Sequence, residues 1–246
     1  MYHFDSIKKY GSFSLEEVRA VLIGSVLMGF MFSFSEWGLG SRFDFGFGMR
    51  NFLAGVIIAM IALFFHILVQ KIIGVLVAFK VEYRIWFYGL LIGLIISFIS
   101  NGRLFFLAPG GIVVYLLSGH RLGAHRYGIN VWPLGALAMC GPLMNFVMAM
   151  AVKALFSQIL GIHSVFLDNF VSFNLWLAFF TILPIPPLPG SNLFFASRLV
   201  FVFVFGSLMA YAVLYALGIY SLIFAILIGF ILYLLFYFFV ESEIYK

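Results

Sequence analysis

Long apolar runs determine what this chain can fold into. The run from Asn51 to Phe79 is long enough to cross a lipid bilayer with some tilt, and similar runs follow it. Over the whole sequence 65% of residues are hydrophobic and 9% are charged, whereas soluble domains carry about 25% charged residues. The sequence therefore predicts an all-α, polytopic integral membrane protein, because a helix satisfies its own backbone hydrogen bonds in lipid.

The apolar runs predict about six to eight segments within one transmembrane domain, residues 1–246. A first helix is expected after Ser14, because Ser14 and Glu17 have the spacing of a capping box. Residues 38–50 alternate aromatic with small or polar residues and are interpreted as an interfacial hairpin or a re-entrant loop, or alternatively as an interfacial loop with aromatic anchors. The further predicted segments are about 51–79, 86–101, 104–117, 132–158, 169–188, 199–217 and 219–240.

The basic residues are scattered between the apolar segments and act as topology determinants. With a cytoplasmic N-terminus, ten of the 14 lysines and arginines fall on the inner side, as the positive-inside rule requires. We therefore expect a multi-pass protein of the cell membrane with both termini in the cytoplasm, and no binding of nucleic acid. The basic loop 118–130 is a candidate site for anionic lipid headgroups or a solvated, topology-setting loop.

A proline-rich stretch breaks the apolar pattern near residue 185. Each proline removes a backbone donor, and irregular backbone survives in a bilayer only where protein or a water-filled cavity covers it. The stretch therefore predicts a site, formed by Pro184, Pro186, Pro187, Pro189 and Gly190.

Polar residues also lie inside apolar runs. His66 and Gln70 are four residues apart and so share one face of a helix, with Lys71 beside them. Such residues are functional candidates, and the alternative is a His–Gln pair that hydrogen-bonds internally for packing. Asn145 and Asn174 are expected to bond across helices or to contact the backbone of a bound peptide.

Several short motifs follow one another in a specific order. They are the capped first helix, the helix bearing His66, Glu82-Tyr-Arg-Ile-Trp86, Phe106-Leu-Ala-Pro-Gly110, Gly141-Pro-Leu-Met-Asn145 and Leu183-Pro-Ile-Pro-Pro-Leu188. In this order, over about 14–198, the chain resembles archaeal-type site-2 proteases, the intramembrane zinc metalloproteases. Residues 199–240 are then additional C-terminal helices. The resemblance implies a helical core in which an H-E-x-x-H helix supplies two zinc ligands and a catalytic Glu, and an Asp in the proline loop supplies the third ligand.

The residues that this chemistry needs are largely missing. Counted back from Glu82, H-E-x-x-H falls on His66-Ile-Leu-Val-Gln70, so Ile67 replaces the Glu and Gln70 the second His, while Pro189 replaces the Asp. A rival register, Leu116-Leu-Ser-Gly-His120, also keeps one His and no Glu. Catalytic zinc takes three protein ligands and a water whose proton a base removes. We therefore expect no catalytic residue and no cofactor, with His66 as a vestigial ligand.

The function predicted from these observations is that of a pseudoprotease, which binds or shields transmembrane segments of client membrane proteins. One alternative is an active metalloprotease with substituted ligands, which would bind zinc and recruit Glu82 or Asp168. A second alternative is a structural subunit of a membrane assembly. The candidates for client binding are Gln70, Asn145, Pro184, Pro186, Pro187, Pro189 and Gly190.

Overall fold

The computed structural model describes residues 9–38, 43–117, 131–214, 217 and 220–242. Eight helices and one two-stranded sheet make up the regular structure of these residues, which confirms the all-α membrane fold class. The helices are α1 (Leu15–Ser33), α2 (Phe45–Leu76), α3 (Phe87–Ile99), α4 (Val131–Val152), α5 (Val165–Thr181), α6 (Pro189–Ala196), α7 (Arg198–Leu214) and α8 (Tyr220–Phe236). The strands are β1 (Phe79–Ile85) and β2 (Gly110–Leu116), and π-helical turns at Lys153–Ile159 and Tyr237–Glu241 extend α4 and α8.

Three helical stretches of the described chain are long and apolar enough to cross a membrane: Phe45–Leu76, Val131–Ile159 and Tyr220–Glu241. The apolar helices α3, α5 and α7 are shorter, with 10–17 residues each. The total number of spans and the orientation of the termini stay predictions.

The core lies between α1, α2 and α5. Met28 and Met31 of α1, Leu63 of α2 and Leu177 of α5 are all 0–1% exposed and belong to one cluster. The backbones of α1 and α2 approach closely at Gly29, where an added Cβ would lie 2.6 Å from the Val56 nitrogen. Small residues allow such close packing of helices in a bilayer, so α1 and α2 form the closely packed centre of the bundle.

The two-stranded antiparallel sheet, whose strands are connected through α3, and the proline loop lie at one end of the bundle. For brevity we call this sheet the hairpin and this end of the bundle the hairpin end. Glu17 at the start of α1 contacts Lys71 near the end of α2, so the two helices are antiparallel and meet there. The Pro187 carbonyl of the proline loop lies against Gly111 of β2. Gly102, after α3, lies beside Ser35 at the opposite end.

The structure corrects the prediction of a membrane segment at 104–117. Gly110–Leu116 is instead strand β2, which pairs antiparallel with β1 from Phe79↔Leu116 to Ile85↔Gly110. A short apolar run cannot be assigned to helix or strand by hydropathy alone. In this segment the β-branched residues Ile112, Val113 and Val114 favour a strand.

The prediction of a hairpin or re-entrant loop at 38–50 is wrong for residues 45–50, which form the first turns of α2. Asp44 caps this helix by accepting a hydrogen bond from the Phe47 N–H at 3.0 Å. Residues 39–42 lie outside the described part of the chain. The capping box at Ser14 and Glu17 is confirmed.

Candidate functional site

His66, Gln70 and Asn145 lie together in the interior, between α2 and α4. Their exposed fractions are 3%, 0% and 0%. The side-chain amide nitrogen of Asn145 lies 3.3 Å from His66 Nδ1. One turn further along α2, Gln70 Nε2 donates to the Ala138 carbonyl at 3.4 Å. The structure thus brings three predicted site residues into one buried polar cluster, which we call the His66 cluster.

The backbone of α4 closes this cluster at Gly141. A Cβ added there would lie 2.6 Å from His66 Cδ2 and 2.7 Å from Gln70 Nε2, and it would also meet His66 Nε2. Since no side chain fits between α4 and these two residues, helix packing occupies the space beside the imidazole.

The donor set of the His66 cluster does not fit a catalytic zinc ion. Such an ion takes three ligands from Cys, His, Asp or Glu, and no group of three of these residues occurs in the described ranges. His66 Nδ1 is engaged by Asn145 and the Gln70 amide by Ala138. No hydrolytic step through zinc follows from these residues. His120 of the rival register lies outside the described residues.

The cluster presents acceptors instead of metal ligands. Gln70 Oε1 and Asn145 Oδ1 are buried and have no hydrogen-bond partner in the described part of the protein. Asn174 Oδ1 is also buried without a partner among the described residues, but the Asn174 amide nitrogen donates to the Phe170 carbonyl of its own helix at 2.9 Å. Each unpaired buried acceptor costs about 1–3 kcal/mol, so packing, rather than complete hydrogen bonding, holds this cluster together.

The proline loop connects α5 to α6 and presents its apex on the surface. Residues 184–187 are exposed, whereas Leu188, Pro189 and Gly190 are buried. Gly190 is required sterically, because a Cβ there would meet the Ile182 carbonyl. Gln70 makes its hydrogen bond to Ala138 of α4 and not to a carbonyl of this loop.

The outer edge of β1 is covered by two charged side chains. Glu17 Oε1 accepts a hydrogen bond from the Tyr83 N–H at 2.9 Å, and Lys71 Nζ donates to the Val81 carbonyl at 3.2 Å. The Tyr83 hydroxyl is itself buried without a partner in the described ranges, and burial raises the pKa of Tyr83, so the phenol is neutral.

No described residue pairs with the outer edge of β2. Just outside the paired residues, the Leu117 N–H donates to Ala78 and the Trp86 N–H to Pro109. Because hydrogen-bonding direction alternates along a strand, odd-numbered residues of β2 bond to β1. The backbone groups of Ile112, Val114 and Leu116 therefore point away from β1, and no hydrogen bond from a described residue reaches them.

Sequence reasoning missed the hairpin, although β1 carries a clear signal. Phe79, Val81 and Tyr83 are 0%, 1% and 4% exposed, whereas Lys80 and Arg84 between and after them point outward. This strict alternation of apolar and charged residues is the period-two pattern of a half-buried strand. The partnership of Glu17 with Lys71 has no such local signal, because the two residues are distant in sequence.

These features define an α-helical membrane protein with a buried His–Gln–Asn cluster and a two-stranded sheet, one edge of which no described residue pairs with. The chain is 25% identical to a protein of Methanocaldococcus jannaschii named "Putative zinc metalloprotease MJ0611", over 183 residues that make up 73% of this chain and 84% of the relative. No protein-family model and no solved structure matches the chain. The comparison relates the chain distantly to a protein named as a zinc metalloprotease.

Proposed function

We propose that this protein is a catalytically inactive relative of the site-2 proteases, and that it holds an extended segment of a client membrane protein without cutting it. The observation that carries the proposal is that no described residue bonds to the outer edge of β2. A strand edge with unpaired N–H and C=O groups binds another extended chain by adding it to the sheet.

The side chains of β2 support this role by fixing the strand while its edge stays free. Ile112, Val114 and Leu116 pack with Phe79, Val81 and Leu137 in one apolar cluster. Their side chains are therefore held against the helices, and their backbone groups remain available to a second strand. A client segment would bond to the backbone of three alternate residues.

The proline loop supports the same role by its position. Its Pro187 carbonyl lies against Gly111 at the start of β2, where a side chain would not fit. The exposed residues 184–187 thus place an apolar, irregular surface beside the strand at the hairpin end. An extended client segment on β2 would pass close to this surface.

The inference that the client is not cleaved rests on the side chains that stand at the positions of the metalloprotease motif. Metal-assisted hydrolysis needs ligands that hold the ion and a base that takes a proton from water. Ile67, in the position of the catalytic Glu, is 0% exposed in the apolar core. Gln70, in the position of the second His, is a neutral amide.

The test is binding of a synthetic peptide of alternating valine and threonine to the full chain in lipid nanodiscs. Val114→Pro removes the outward N–H of β2, and proline is tolerated where a strand N–H faces outward. Val114→Ala is the matched control, because it also shortens the side chain but keeps the N–H. Loss of one hydrogen bond, about 0.5–1.5 kcal/mol, should weaken binding by Val114→Pro by up to roughly tenfold relative to Val114→Ala.

The same experiment separates the alternatives. Mass spectrometry of the peptide after incubation should find it intact, and cleavage that stops in His66→Ala would favour an active metalloprotease. A wild-type chain that does not bind the peptide, or equal affinities in Val114→Pro and Val114→Ala, would overturn the proposed binding edge. A structural subunit of a membrane assembly would then be the better account.

A further inference from the structure

A buried ion pair joins α1 to α2 directly beneath the hairpin. Lys71 Nζ lies 2.8 Å from Glu17 Oε1, and both side chains are 3% exposed. The remaining polar atoms are also satisfied. Glu17 Oε2 accepts from the Ser14 N–H at 2.7 Å, and Lys71 Nζ donates to the Ser12 carbonyl at 3.0 Å.

The pair contacts the backbone of β1 as a neighbouring strand would. It offers an acceptor to the Tyr83 N–H and a donor to the Val81 carbonyl, two residues apart on the same edge. Neighbouring strands pair through such alternating donors and acceptors. Two side chains from two different helices therefore take the place of a third strand.

This contact anchors β1 to α1 and α2, whereas the side chains of β1 set which face of the strand is buried. A shift of β1 by one residue would turn every side chain to the other face, which would bury Lys80 and Glu82 and expose Phe79 and Val81. The apolar side chains of Phe79, Val81 and Tyr83 therefore select the observed face, and the Glu17–Lys71 pair bonds to the backbone groups that this face leaves on the outer edge. Because β2 is paired with β1 throughout, the pair also fixes where β2 lies.

We propose that Glu17 and Lys71 are positioning residues for strand binding. By covering the edge of β1 and anchoring it to α1 and α2, they hold the opposite edge, β2, beside the proline loop. This inference rests on the proposed function for its purpose, but the positioning itself can be measured without any client.

Stability is a poor measure of this role, because replacing a buried ion pair by apolar residues of similar size often changes stability little. The position of the hairpin is the direct measure. Spin labels at Tyr115→Cys of β2 and Ile185→Cys of the proline loop, both 42% exposed in the native protein, report the separation of these elements. A Cys140→Ser background removes the native cysteine.

Distances between the two labels, measured by double electron–electron resonance, test the inference. We expect a single narrow distance in the otherwise native chain and a broad or shifted distribution in Glu17→Leu/Lys71→Met, which removes both charges together. Glu17→Gln/Lys71→Met keeps an acceptor for the Tyr83 N–H and should broaden the distribution less. Lys80→Gln/Glu82→Gln removes the partly exposed ion pair of the same strand, 2.7 Å between Nζ and Oε1, and should leave the distance unchanged.

Each outcome has a defined meaning. An unchanged distance in Glu17→Leu/Lys71→Met overturns the inference, whatever the peptide does. If that variant does not fold, Glu17→Gln/Lys71→Met, which still removes the bond from Lys71 to the Val81 carbonyl, must broaden the distribution measurably, and an unchanged distance there overturns the inference. A broadened distance together with weaker peptide binding supports both proposals. A broadened distance with unaltered peptide binding supports the positioning role and contradicts the strand-binding function.

Discussion

Gly141→Ala is the substitution for which the structure makes the sharpest stability prediction. The added methyl group would meet His66 Nε2 and lie 2.6 Å from His66 Cδ2 and 2.7 Å from Gln70 Nε2. Both neighbours are buried, so neither can move into solvent. Gly141 also precedes Pro142 within α4, and a Cβ in that position clashes with the proline ring in a helix.

The expected change in the free energy of unfolding combines two destabilising contributions and one stabilising contribution. Overpacking a buried site costs about 1–3 kcal/mol, and displacing Gln70 from Ala138 removes a hydrogen bond of about 0.5–1.5 kcal/mol. Alanine gains about 1 kcal/mol over glycine in helix propensity. We therefore expect the free energy of unfolding to fall by roughly 0.5–3.5 kcal/mol, with the clash against Pro142 placing it toward the upper end.

Reversible unfolding in mixed detergent micelles, followed by circular dichroism, measures this change. Gly46→Ala is the matched control, because a Cβ there meets only Asp44 Oδ1, at an ordinary 3.5 Å. It should be neutral or stabilising. A double-mutant cycle of Gly141→Ala with His66→Ala should show coupling of roughly 0.5–3 kcal/mol, as for residues in contact. A Gly141→Ala protein as stable as wild type would refute the described packing of the His66 cluster.

Three further predictions concern the metal, the amide and the topology. Protein purified without added metal should contain well under one zinc ion per chain by elemental analysis, because the cluster offers His66 as its one potential ligand; stoichiometric zinc that disappears in His66→Ala would contradict this. Gln70→Leu should lower the free energy of unfolding by roughly 1–3 kcal/mol, whereas Lys80→Ala, at an exposed ion pair, should change it by less than about 1 kcal/mol; equal effects would show that the Gln70 amide contributes nothing. A cysteine at Ser197 should be labelled from the cytoplasmic side and one at Ser41 from the opposite side; labelling from the same side would contradict the predicted span count.

Much of the helical framework can be predicted from the sequence, because its signals are local. The apolar run that begins at residue 51 lies within α2, and Ser14 and Glu17 form the capping box that their spacing predicts. The start of α2 was missed because Gly46 and Gly48 interrupt its apolar pattern. Gly48 is explained only by the fold, where a Cβ would meet the ring of Trp37.

The site could be predicted only in part, because its contacts join distant parts of the chain. The helical spacing of His66 and Gln70 placed them on one face, but their partners on α4 depend on how two helices pack. The open edge of β2 depends on its register with β1, and the cover of β1 depends on Glu17, a residue of another helix. Hydropathy carries no information on any of these pairings.

The most direct test of strand binding on β2 is residue-resolved amide hydrogen exchange in nanodiscs, with and without the valine–threonine peptide. Without peptide, the amides of Ile112, Val114 and Leu116 should exchange faster than those of Val113 and Tyr115, which face β1. Addition of peptide should slow exchange at the three outward amides and leave the inward ones unchanged. Outward amides that are already protected without peptide, or that the peptide leaves unprotected, would contradict the account.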